Sequence, residues 1–167
     1  MTMLQRNITR FLDSGNPPQG RSKGIFLVVG LIGSVMLWAM PVLAQITDAK
    51  VASLVEALRL AAPETGIEND GLYSDWQIKP GNIPRWSRLC IDEELTPAQF
   101  EANEAKAREI LACVMEDVLT QQYEATGDES LAVRRAAAWW MTGDPEQYNS
   151  ERIGDYTQEV LQFYQQQ

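Results

Sequence analysis

The chain has 167 residues, a formal net charge of −9 and no histidine. At 45% hydrophobic and 22% charged residues it has globular composition, not that of a disordered chain. The missing histidine excludes Ser-His-Asp and Cys-His catalysis, histidine-ligated zinc and histidine pH switching.

Charge is unevenly placed. Residues 1–44 hold Arg6, Arg10, Arg21 and Lys23 against Asp13, a net of +3, which leaves −12 on residues 45–167 out of the total of −9. Phosphate backbones and anionic membrane surfaces repel such a portion, so no nucleic-acid partner is expected. Solubility is the simplest use of this acidity, and a protein partner with a basic surface is the functional alternative.

The first 44 residues read as a secretory signal peptide. A basic, Pro- and Gly-bearing start gives way to the uncharged run Ile25–Met40; Pro41 breaks it, and Val42 and Ala44 supply the small side chains of a cleavage site. An uncleaved anchor is the alternative, because Ile25–Ala44 is 20 residues long, just enough to span a bilayer at ~1.5 Å per residue. In both cases residues 45–167 lie outside the cytoplasm, in the periplasm or an equivalent lumen, and any membrane contact runs through the N-terminal segment. Cys90 and Cys113, the two cysteines, are then expected to form a structural disulfide.

The exported portion is expected to be all-α, a small domain of about four helices with one long irregular loop stapled by the disulfide. Thr47 and Asp48 offer a cap, and Val51, Leu54, Val55 and Leu58 follow at helical spacing, ending near Ala62. Residues 63–95 hold Gly66, Gly71, Pro80, Gly81 and Pro84 with no clean period and read as loop. Thr96-Pro97-Ala98-Gln99 is a capping box, with Ala107, Ile110, Leu111, Val114 and Val118 as the apolar stripe of a helix to about Tyr123. Asn103 and Glu104 interrupt that stripe, so its first part is expected to be less buried. Asp128 opens a helix to Met141 that Gly143 stops, Asp144-Pro145 begins a short turn, and a final helix from about Asp155 puts Tyr156, Val160, Phe163 and Tyr164 on one side. No strand is expected.

The suggestive stretch is residues 75–90, DWQIKPGNIPRWSRLC, with Trp76, Lys79, Arg85, Trp86 and Arg88 in an otherwise acidic portion. Trp and Arg dominate protein interfaces, and Trp also stacks on sugars; the competing reading folds both tryptophans onto the helices. Trp139 and Trp140 diverge by about 100° on their helix, so one is expected in the core and Trp140 joins the interaction set. Two other clusters carry weaker signals. Asp92-Glu93-Glu94 and Glu116-Asp117 offer paired carboxylates, but acids ahead of a helix or on its surface are ordinarily dipole partners or solvated. Glu68-Asn69-Asp70-Gly71 with Asp75 lacks EF-hand ligand spacing, so no metal and no cofactor are expected. The sequence thus points to a non-enzymatic interaction or accessory subunit of an extracytoplasmic complex. A small-ligand or glycan-binding module built on Trp76 and Trp86 is the alternative, and a carboxylate-dependent envelope hydrolase is the third reading.

Overall fold

The computed structural model describes residues 46–67 and 70–167. The segment expected to be a signal or anchor, residues 1–44, and the Glu68-Asn69 part of the oxygen-rich loop lie outside the described residues. Among the described residues there are six α-helices and no strand; Tyr73 and Ile78 make an isolated antiparallel bridge. None of these helices is long and apolar enough to cross a membrane.

Helix α1 runs Asp48–Leu60, with Thr47 accepting from the Lys50 amide. Its predicted stripe, Val51, Leu54, Val55 and Leu58, is buried throughout. Residues 63–95 are less irregular than expected, because they contain α2, Ile83–Ile91. Pro84 sits in the first turn of α2, where a proline costs no hydrogen bond. Ile83, Trp86 and Ser87 recur at helical spacing and are all buried. Ser87 also joins α2 to the following segment: its hydroxyl accepts from the Leu95 amide at 3.0 Å and donates to the Pro84 carbonyl.

The helix expected from Thr96 to Tyr123 is two helices. The capping box at Thr96 and Gln99 forms as read, but it opens only the short α3, Pro97–Glu101. Asn103 then caps a new start, its side chain accepting from the Lys106 amide, and α4 continues Glu104–Thr126. Ala102 and Asn103 between the two helices, and Glu104 and Ala105 at the start of α4, are exposed, while Phe100 is fully buried. A single straight helix would put the solvated turn at Asn103 in register with the stripe. The break lets Phe100 and Ala107 both reach the core.

Helix α5, Glu129–Thr142, starts on the Asp128 cap and stops at Gly143, whose φ of +79° is left-handed. A 3-10 turn, Pro145–Asn149, follows behind its Asp144 cap, and α6 is Gly154–Tyr164. Helix α4 packs against α1, α2 and α5, and α6 closes the layer against α1 and α5. Ala132, Val133, Ala136 and Ala137 of α5 are all fully buried, small enough to allow close helix approach. The expected disulfide is present: Cys90 at the end of α2 is bonded to Cys113 in α4, with Cα atoms 5.9 Å apart.

Polar pairs tie the helices together. Glu56 of α1 binds Arg59 at 2.7 Å and Arg108 of α4 at 2.9 Å. Hydrogen bonding from Arg59, and then from Arg108, holds the Glu56 carboxyl at about 2 against the burial that opposes it. Across the molecule Glu129 accepts from Lys50 and from the Tyr164 hydroxyl, joining α1, α5 and α6. Partial burial works against the charge on Glu129, but Lys50 and Tyr164 together outweigh it and its carboxyl lies below the usual range. Burial and this same carboxylate push the Tyr164 phenol up.

Candidate functional site

The turn before α2 decides where the first tryptophan goes. Tyr73 and Ile78 exchange N–H···O bonds of 3.0 and 2.9 Å, and Ser74 and Gln77 between them take positive φ. The tight reversal aims Trp76 inward. It is only 1% exposed, its indole N–H donates to the Val55 carbonyl at 2.8 Å, and the Arg108 guanidinium lies 5.0 Å from its ring centre. Trp76 is therefore a core residue with no open face, contrary to the interface role expected of it.

Trp86 is also largely withdrawn, at 7% exposed. Its ring stacks on Trp140 at 5.7 Å and on Trp139 at 6.5 Å between centres. The two consecutive α5 tryptophans straddle it. Both Trp139 and Trp140 are half-buried, so neither is the fully enclosed core residue expected of one of them. This three-indole packing joins α2 to the end of α5, and the disulfide joins α2 to α4.

Beside that packing lies an open cleft of about 710 Å³ between the 72–82 segment, the start of α2 and the end of α5. Five of the six residues singled out from sequence meet there: Trp76 and Trp86 at its base, Trp140 on its wall, and Lys79 and Arg85 exposed beside it. Sequence reasoning missed the far wall, formed by Trp139 and by Met141 through Gly143. The positive-φ glycine that ends α5 marked this edge, but nothing local said which segment it faces.

Arg88 is the exception. It pairs with Glu94 and borders a neighbouring depression between α2 and α4, lined by Leu89, Val118, Glu116 and Asp117 and sharing Arg85, Trp86 and Trp139 with the cleft. Leu89 is the most exposed large apolar side chain among the described residues, at 73%.

Among the described residues, the lining of the cleft contains no carboxylate. Residues 45–167 include ten basic side chains. Eight of them are engaged, in ion pairs with Glu or Asp or in hydrogen bonds, such as Arg134 to the Tyr148 carbonyl and Arg152 to Gln147. Among the described residues Lys79 and Arg85 make neither kind of contact, and both line this cleft. The side chain of Asn82 is likewise left without a partner, since it does not cap α2.

The carboxylates weighed as catalytic groups lie elsewhere. Asp92, Glu93, Glu94, Glu116 and Asp117 are all exposed, Glu93 pairs with Lys106, and Glu94 pairs with Arg88. Near the oxygen-rich loop, Asp70 accepts from the Thr65 hydroxyl and the Leu72 amide. Asp75 lies 3.5 Å from Arg59. Among the described residues no cluster of three or more metal-ligating side chains forms.

No family model, curated protein or solved structure matches the chain.

Proposed function

We propose that residues 45–167 act as a non-enzymatic binding module outside the cytoplasm, an accessory or interaction subunit that holds its partner at the cleft beside Trp86 and Trp140. The observation that carries this reading is the convergence of Lys79, Arg85, Trp86 and Trp140 from separate segments on one open cleft whose lining, among the described residues, lacks carboxylates. Aromatic and cationic side chains around a partly desolvated centre are the makings of a recognition surface. The exposure of all five candidate catalytic acids, with Glu93 and Glu94 also paired to cations, favours binding over hydrolysis, which needs a carboxyl raised by burial. A disulfide supports an oxidising compartment, and the export signal read at residues 1–44 supports the same address.

The small-ligand alternative keeps one argument, a cleft volume within the range of small-molecule sites. Stacking of a sugar on Trp76 or Trp86 has less support, because neither indole presents an open face.

A photo-crosslinker tests the reading. Benzoylphenylalanine replacing Met141, on the cleft rim, should capture one defined species in the native compartment. The same group replacing Gln158, exposed on α6, should not. Trp140→Ala should abolish the first capture. Equal labelling from both positions refutes the proposal.

A further inference from the structure

Lys79 and Arg85 pose a specific question. A portion carrying −12 has acids to spare for every cation, and eight of its ten basic side chains are engaged within the chain. Among the described residues, the two that are not engaged share one cleft whose lining holds no carboxylate, although Arg85 also borders the neighbouring depression with Glu116 and Asp117. Exposed opposite charges gain little from pairing, so a surface cation is not obliged to find a partner. Two in one aromatic-walled cleft, in a chain so acidic, are two cations left available to a ligand's carboxylates.

We infer that the occupant of this cleft is an acidic polypeptide segment carrying one aromatic or branched apolar residue. Its carboxylates meet Lys79 and Arg85, and its apolar side chain lies against Trp140 and Met141. The inference rests on the binding reading above and adds the chemistry of the partner. Charge complementarity gives the acid: Lys79 and Arg85 are in the lining itself, whereas Asp70, the acid held by the lining residues Thr65 and Leu72, is already engaged by their hydroxyl and amide, and at an ionic strength of 0.1 M the screening length of about 10 Å weakens the acids farther off. A neutral or basic segment would gain nothing here that the remaining surface does not offer better. The apolar contact follows from the wall, where Trp140 is half-buried and Met141 is 36% exposed. A polypeptide is favoured over a polyuronate because Trp76 and Trp86 have no face free for a sugar ring. The unengaged Asn82 amide also offers a donor and an acceptor suited to a peptide backbone.

Selection from a random dodecapeptide library tests the inference, with the full chain as bait. The expected result is enrichment of sequences rich in Asp and Glu around a single aromatic or branched residue. A synthetic representative should lose affinity about tenfold on the double substitution Lys79→Gln and Arg85→Gln, the loss of two charge-assisted contacts. Its salt dependence should flatten in the same variant. Lys79 and Arg85 are exposed and unbonded, so this variant keeps the fold, which far-UV circular dichroism verifies. Met141→Glu should weaken the same peptide by like-charge repulsion without touching the core, and Met141→Lys should strengthen it. Neutral or basic peptides that bind and lose affinity on Trp140→Ala leave the binding reading intact and overturn the acidic one. Selected peptides indifferent to Trp140→Ala and to both Met141 substitutions, or no selected peptide at all, overturn both. An oligogalacturonate that outcompetes the selected peptide at equal charge overturns the assignment to a polypeptide.

Discussion

Replacing both Cys90 and Cys113 by serine tests how the cleft is held in place. The bond closes a loop of about 24 residues, and loop-closure entropy in the unfolded chain assigns that constraint roughly 3.5 kcal/mol. Against a total stability of about 5–15 kcal/mol for a domain of this size, the loss is large without being total. The packing supports survival of the fold: Ile83 and Trp86 still bury α2 against the core, Ser87 still binds the Leu95 amide, and both serines are placed where water can reach their hydroxyls. Urea unfolding followed by circular dichroism should show a lower midpoint at a slightly steeper slope, since native burial is conserved while the unfolded chain, without its crosslink, exposes more surface. The thermal midpoint should fall by roughly 10–15 °C. Because Cys90 ends the helix that carries Arg85 and Trp86, hydrogen exchange should rise first across residues 83–91, ahead of α4 and α5. A double-serine variant within about 0.5 kcal/mol of the parent would refute the argument. So would thiols in the untreated native protein that react at once with a thiol reagent.

Three further outcomes follow from particular contacts. Trp76→Phe removes the indole N–H donated to the Val55 carbonyl and leaves space in a sealed core. It should cost roughly 2–4 kcal/mol in urea unfolding, whereas an exposed tryptophan would cost almost nothing. Asn103→Ala removes the side-chain cap of α4 and should cost about 1 kcal/mol, with Asn103→Asp close to neutral. The Glu56 carboxyl is held at about 2, below its ordinary value of 4.5, by Arg59 and Arg108. Its contribution is therefore complete above pH 4.5 and is lost as pH falls from there toward 2, on the order of 1–2 kcal/mol for a partly exposed cluster. Stability measured at steps through that window should fall less steeply for Glu56→Gln than for the parent, and parallel curves would refute the linkage.

The cleft also shows why two tryptophans of similar sequence context differ in use. Trp76 lies in a tight turn whose paired backbone turns it inward, where its single donor finds a carbonyl. Trp86 lies on a helix that must be covered on one face, and α5 covers it with two indoles at once. Neither is an exposed anchor. What remains accessible is the half-buried Trp140 and the cations beside it, so in the proposed binding the aromatic contact comes from the opposing helix and not from the loop.

Much of the local architecture was legible from residues close together in the chain. The caps at Thr47, Thr96, Asp128 and Asp144 act over two or three residues, and each forms as read. The α4 stripe is buried because its spacing puts Ala107 through Val118 on one face. The disulfide was legible from an even pair of cysteines taken with the export signal expected at residues 1–44. Helix α2 was also encoded, in the recurrence of Ile83, Trp86, Ser87, Cys90 and Ile91, but Pro80, Gly81 and Pro84 hid it as punctuation. A proline in the first turn of a helix and one ahead of it do not break that helix. The break at Asn103 could not be read from propensity, since it depends on where Phe100 and Ala107 must both reach the core. The cleft is a tertiary property altogether. Which cations find acids, and which two are left beside Trp140, depends on side chains tens of residues apart, and the chain specifies those meetings only once α2 is fastened to α4 and packed under the end of α5.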